Sequence, residues 1–233
     1  MDCENVKLIF ICTPNNPTGN LLERQHLIEL LEHYKDKSII VIDEAYIEFC
    51  PEFACEQLIS DYPNLAVIRT LSKAFGLAAL RCGFLLAGRD IIDIVHRVMA
   101  PYPLAEPITQ IARQALTNSG LRRMEQSVER ITNASNKFCE ELAKLDCVTE
   151  VIPGLGNFVL VKFKDASVDL SLLLKNGINI RDVVTGFGIT HLHKRISIGT
   201  DEQMELLMTV LEKINANYVS KVSPAIADEV SFG

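Results

Sequence analysis

What most limits the fold of this chain is a repeated unit, a short β-branched run that stops at a polar cluster. Val6 to Cys12 runs into Pro14-Asn15-Asn16-Pro17-Thr18-Gly19, Ser38 to Ile42 into Asp43-Glu44-Ala45-Tyr46, and Leu65 to Leu71 into Ser72-Lys73-Ala74-Phe75-Gly76. Runs of this length, bounded by Pro, Asn and Gly, read as buried strands. Between the first two lies a helical stripe, Leu27, Ile28, Leu30, Leu31 and Tyr34; Ile91, Ile92, Ile94, Val95 and Val98 form another after the third. The alternation predicts an α/β region with a parallel sheet from residue 1 to about 120. In an open sheet of that kind the carboxyl ends of the strands converge on one crevice, where ligands bind. Asn16, Asp43, Tyr46, Ser72, Lys73 and Arg81 are therefore expected to face one small molecule.

That set suits pyridoxal phosphate. A lysine amine condenses with an aldehyde and is afterwards free to move a substrate α-proton. An aspartate beside a pyridine nitrogen favours its protonated form, an effect of about 1–3 pKa units at contact distance. Tyr46 and Asn16 can hydrogen-bond a ring hydroxyl. Ser72 and Arg81 can hold a phosphate, the arginine through a planar fork. Singly, each motif has a plainer reading: Asn16-Pro17-Thr18-Gly19 as a turn, Ser72-Lys73 as surface, Asp43-Glu44 as the acidic start of a helix. The plain readings must explain three strand ends independently; the cofactor reading explains them together.

In that order, the motifs resemble the fold-type I pyridoxal-phosphate aminotransferases. Thr13 to Gly19, Asp43 to Phe49, Arg69 to Leu77, Arg81-Cys82-Gly83-Phe84 and Pro101-Tyr102-Pro103-Leu104 are closest to the histidinol-phosphate branch of that family. Ala79 departs from the pattern, which usually has glycine there. The resemblance runs from about Lys7 to about Ile214. It implies a fold-type I transferase, with a partial mixed sheet in the large domain and a smaller C-terminal α/β domain. It implies transfer of an amino group between histidinol phosphate and 2-oxoglutarate, with glutamate as the donor in reverse, in histidine biosynthesis. It also implies a homodimer in which Lys73 is the catalytic lysine. Arg195, and Arg181 in the same branch, correspond to substrate-side arginines whose forks suit carboxylate and phosphate alike. For Arg181 a strand-edge charge is the competing reading. Relative to the family, roughly a hundred residues are expected before Lys7, judged also from the strands a sheet of ordinary size needs. They would carry a ring-stacking aromatic and a tyrosine donated by the partner subunit. Other readings stay open: an aromatic aminotransferase, a decarboxylase of phosphorylated amino acids, or an inactive module that only binds or dimerises.

Further along, Leu121 to Leu145 forms a long amphipathic stretch with Met124, Val128, Ile131 and Phe138 at helical spacing. It leads into an expected second domain over 121–218, with strands at Asn157 to Phe163, Ile178 to Arg181 and Lys194 to Ile198. Helices are expected near Leu170 to Lys175 and from Asp201, as N-cap, to Asn215. From Val219 to Gly233 the periodicity fades, and a loose tail is expected. His191-x-His193 has no third ligand nearby and reads as surface rather than metal site; His26, His33 and His96 sit on helices without evident partners. A net charge of −7 provides no electrostatic footprint for nucleic acid or an anionic membrane. Seven scattered cysteines without a Cys-x-x-Cys pattern read as reduced thiols of a cytoplasmic protein. The start, Met1-Asp2-Cys3-Glu4, does not resemble a signal peptide.

Overall fold

The computed structural model describes residues 6–186 and 188–228, with side chains as far as 222. In chain order the elements are β1 (Leu8–Cys12), α1 (Arg24–His33), β2 (Ile39–Asp43), β3 (Leu65–Thr70), β4 (Gly83–Ala87), α2 (Arg89–Val98), α3 (Glu106–Ala115) and α4 (Asn118–Leu142). They are followed by β5 (Val148–Pro153), β6 (Phe158–Phe163), α5 (Ser171–Lys175), β7 (Arg181–Asp182), β8 (His193–Ser197) and α6 (Asp201–Asp228). Two compact units result, one of Met1–Asn16 with Asn20–Arg130 and one of Pro17–Gly19 with Ile131–Gly233. The division falls inside α4 rather than at residue 120, because a continuous amphipathic helix offers no break for a boundary.

The first unit carries a four-stranded sheet in the order β1-β2-β3-β4, parallel except for β4. Alternation along the strands sorts side chains onto two faces. Ile9, Ile11, Ile40, Ile42, Leu65 and Val67 meet Leu27 and Leu31 of α1, together with Cys55 and Leu58. Leu31, Ile40, Ile42 and Val67 are completely buried. Each such side chain contributes about 1.5–3 kcal/mol relative to exposure. On the other face Val41 and Ala66 are buried, while Leu8 and Phe10 at the β1 edge are exposed. Short 3-10 turns over 47–60 link β2 to β3. They are fixed by ions: Glu44, fully buried, accepts from the Cys55 backbone N–H (2.7 Å) and from Arg69 Nε (2.8 Å), and Arg69 also pairs with Glu56 (2.6 Å).

An antiparallel sheet in the order β5-β6-β8-β7 forms the centre of the second unit. β6 is buried from Phe158 to Val161, so it reads as a continuous apolar run rather than an alternating one. Phe138 and Leu142 of α4 and Val210, Leu211, Ile214 and Tyr218 of α6 join this core. Asn215 Oδ1 accepts from the Cys147 backbone N–H at 2.9 Å, and the Tyr218 hydroxyl donates to Asp165 at 3.3 Å.

Several expectations need correction. The segment from Val219 does not loosen at once: α6 continues to Asp228, since no glycine stops it and buried Tyr218 anchors the preceding turn. Residues 229–233 lie outside the described residues. Asp201 is not the cap of α6; Thr200 is, in a reciprocal pair in which Thr200 N–H donates to Gln203 Oε1 (2.9 Å) and Gln203 N–H to Thr200 Oγ1 (3.4 Å). His193 is buried, not at the surface, because its Nδ1 accepts from the Thr190 N–H at 3.0 Å as β8 enters the core. His26 lies 3.8 Å from Glu23, and His33 packs edge-on against Tyr34. The strand expected at Ile178 to Arg181 shifts forward to Arg181–Asp182.

Candidate active site

The parallel strands β1 and β2 end level with one another, and β3 runs two residues further. Cys12 is in register with Asp43, and Asp43 with Ile68. The Thr13 N–H donates to Asp43 O (3.0 Å) and the Glu44 N–H to Ile68 O (2.9 Å), so the ladder closes just as the polar residues begin. Asp43 Oδ1 accepts from the Ala45 N–H at 3.0 Å, which orients the carboxylate at the turn. Cys12, its neighbour, has its thiol pushed up by burial first and by the Asp43 charge second, against a lowering hydrogen bond from the Asn16 backbone. Its sulfur donates to Pro14 O at 3.3 Å.

Tyr46, three residues beyond β2, is buried, and Lys73 Nζ stands over its ring, 5.2 Å from the centroid. An ammonium at that distance gains from the ring face, so the lysine is held by the residue expected to share its ligand. Gly76 follows with φ +68, the left-handed conformation that closes the turn through Gly76 N–H to Lys73 O at 2.9 Å.

Ser72 and Arg81 flank a bonded pair of backbone positions, Leu71 and Cys82. Thr70 Oγ1 accepts from the Ser72 N–H (3.1 Å) and donates towards Ser72 Oγ (2.9 Å) and Cys82 O (3.3 Å). The Leu71 N–H also donates to Cys82 O, at 3.1 Å, which brings Arg81 beside the Ser72 backbone. Arg81 takes φ +52, a left-handed conformation that costs an L-residue on the order of 1–2 kcal/mol. Its guanidinium donates to Ala78 O at 3.2 Å. Thr70 was not among the residues expected; its signal is a small hydroxyl two positions before a serine at a strand end.

Arg181 and Arg195 are register partners on β7 and β8 of the second unit. Both line a cavity of about 570 Å³ with Asn179, Ser197 and Gln203. The Arg195 guanidinium lies 5.6 Å from the centroid of the Phe158 ring. The sequence-expected residues thus form two sets: Asn16, Asp43, Tyr46, Ser72, Lys73 and Arg81 in the first unit, Arg181 and Arg195 in the second. Among the described residues no group of three or more His, Cys, Asp or Glu could hold a metal ion. Nor is any described helix long and apolar enough to cross a membrane.

Residues 2–211 match the family described as aminotransferase class I and II. A histidinol-phosphate aminotransferase of Aeromonas hydrophila is 47% identical over 210 residues, which cover 90% of this chain and 59% of that protein. The chain therefore spans about 59% of the length of that curated relative. The crystal structure of histidinol-phosphate aminotransferase from Sinorhizobium meliloti, in complex with pyridoxal-5'-phosphate, superposes with a TM-score of 0.81 at 26% identity, over 92% of this chain and 59% of that one. The structure of L-threonine-O-3-phosphate decarboxylase from Porphyromonas gingivalis gives a TM-score of 0.77 at 26% identity, over 91% of this chain and 66% of that one.

Proposed function

This chain belongs to the aminotransferase class I and II family, and we propose from that premise that it acts in a pyridoxal-phosphate-dependent aminotransferase exchanging an amino group between histidinol phosphate and 2-oxoglutarate. The observation that carries the reading is the placement of Lys73 Nζ over the Tyr46 ring, in the unit where Asp43 closes the central parallel strand.

The donor set fits the cofactor. Asp43 has one oxygen oriented by Ala45, so Oδ2 would hold the proton of a pyridine nitrogen. Tyr46 and Asn16 would hydrogen-bond the ring hydroxyl. Ser72, whose backbone is fixed by Thr70, and Arg81 would hold the phosphate. When bound, the cofactor supplies an aldehyde carbon and an electron-withdrawing ring.

The chemistry left to the protein is proton handling and orientation. Lys73 presents an amine that takes the α-proton at Nζ and returns it, with Tyr46 limiting where that amine can swing. Arg181 and Arg195 present two guanidinium forks to the oxyanions that distinguish the two substrates, a phosphate on one and a carboxylate on the other.

Glutamate-dependent conversion of imidazole-acetol phosphate, followed with the purified chain and added cofactor, tests the reading. Lysine-dependent visible absorbance of the bound cofactor together with turnover supports it. Absorbance without transamination, but with carbon dioxide released from a phosphorylated amino acid, would instead support a decarboxylase, the reading favoured by the similarity to the threonine-phosphate enzyme. No absorbance at all would leave a module that only binds or dimerises.

A further inference from the structure

β7 is only two residues long, and its two cross-strand pairs are electrostatically opposite. Arg181 faces Arg195, and Asp182 faces Lys194. Residues directly opposite in an antiparallel pair have Cβ atoms about 4.5–5.5 Å apart, where like charges destabilise and unlike charges stabilise. Left to itself, the arginine pair pushes this edge strand away from β8. The second pair offsets that push. Lys194 Nζ donates to Asp182 Oδ1 at 2.6 Å and to His191 O at 2.9 Å, and its side chain is only 19% exposed. Because side chains alternate, Asp182 and Lys194 occupy the sheet face opposite the two arginines. There they line a separate cavity with Phe163, Leu173 and Ile178, so neither can itself reach a ligand held between the arginines.

We infer that the Asp182–Lys194 ion pair is a positioning clip, which holds two guanidinium groups side by side against their mutual repulsion so that they can share one oxyanion. The clip works from the reverse face of the sheet and touches no substrate. Its carbonyl contact at His191 also ties down the chain that returns from β7 to β8. The Lys194 hydrogen bond, with its charge, holds the Asp182 carboxyl below the usual carboxylate range. The inference rests on the substrate-side reading of Arg181 and Arg195 given above.

The test titrates inorganic phosphate, in the presence of saturating pyridoxal phosphate to fill the Ser72–Arg81 site, into the purified chain and into Asp182→Asn, Asp182→Glu, Lys194→Met and Arg181→Ala. Amide exchange at Arg181 and Asp182 and the thermal midpoint are recorded for each. Asp182→Asn and Lys194→Met should weaken phosphate binding roughly two- to fivefold, the range of an exposed ion pair. Exchange at β7 should quicken while the midpoint barely moves, and Asp182→Glu should bind nearly as the parent does. Arg181→Ala should weaken binding more than any of them. If Asp182→Asn binds phosphate like the parent while Arg181→Ala does not, the clip is wrong and the arginine reading stands. If Arg181→Ala also binds like the parent, the arginine reading fails and takes the clip with it. Failure of Asp182→Glu to restore binding would likewise overturn the clip.

Discussion

The two sheets place their chemistry in different ways. In the first unit three of the four strands are parallel, and the candidate residues sit at or beyond strand ends: Asp43 closes β2, Asn16, Tyr46, Ser72 and Lys73 follow β1, β2 and β3, and Arg81 precedes β4. In the second the strands are antiparallel, and Arg181 and Arg195 sit on the strands themselves, brought together by register. A parallel sheet gathers functional groups from segments that are each contiguous in sequence. An antiparallel pair gathers them from residues that become neighbours only once two strands have found their alignment. Damage should therefore be local and chemical in the first unit, and graded and geometric in the second.

The largest effect expected lies in the first unit. Lys73→Ala removes the one amine placed over the Tyr46 ring, so cofactor attachment and proton transfer fail together. Visible absorbance of the bound cofactor should vanish and turnover fall by about two to four orders of magnitude or more, the usual worth of a positioned acid–base group. Preserved absorbance with parental transamination would remove Lys73 from the reaction. The unfolding midpoint should scarcely change, since the lysine packs on one ring and fills no core.

Next is the buried ion network under the same loops. Glu44→Gln keeps the shape but leaves Arg69 with Glu56 alone and weakens the acceptor of the Cys55 N–H. Removing one partner of a buried pair costs about 3–5 kcal/mol, and the lower end fits a cation that keeps a second acid. Urea unfolding should show that loss, and restoring Glu should recover it. A loss below the measurement error would mean that water already replaces the carboxylate in the parent.

The contrast between the sheets also marks how far the chain could be read without a structure. The three parallel strands and their terminal residues were legible because each signal is local: a β-branched run, then Asn, Asp or Ser-Lys. β4 carries no local strand signal, because Gly83-Phe84-Leu85-Leu86-Ala87 has no β-branched residue; it becomes a strand by pairing with β3. α3 was hidden by Pro107, which is tolerated in the first turn of a helix. Arg181 and Arg195 were found only through family resemblance, and nothing local says that they face one another. His193 looked exposed from its charged neighbours and is buried by a register that no short window reveals. Glu44 and Arg69 did carry a signal, charged residues beside and inside buried strands, but their partnership joins two separate strands.

A smaller effect belongs to the second unit. Thr200→Ala removes the hydroxyl half of the capping pair with Gln203 at the start of α6. Loss of such a cap costs about 1 kcal/mol, and Thr200→Ser should keep most of it. Thermal unfolding would register the difference, and identical midpoints for the alanine and serine variants would show that Asp201 and Glu202 in the first turn compensate.

The smallest effect sharpens the comparison by pH. Glu48, in the turns after β2, has its carboxyl raised above the ordinary range, chiefly by burial. Among the described residues its Oε2 has no hydrogen-bond partner. A group whose folded pKa lies above its unfolded value favours folding at low pH, where it is protonated in both states, and that advantage is lost as pH rises through the folded value. Glu48→Gln stays neutral throughout, so it should resemble the parent at a pH below the unfolded carboxylate value of about 4.3 and become progressively more stable than it above that value. The midpoint difference between the two proteins, measured in steps from pH 4 to pH 8, should grow and then level off once the parent carboxyl is ionised in the folded state. A Glu48→Gln difference that is flat across the range would mean that the folded carboxyl titrates in the ordinary window, and that the turns over 47–60 admit water to it.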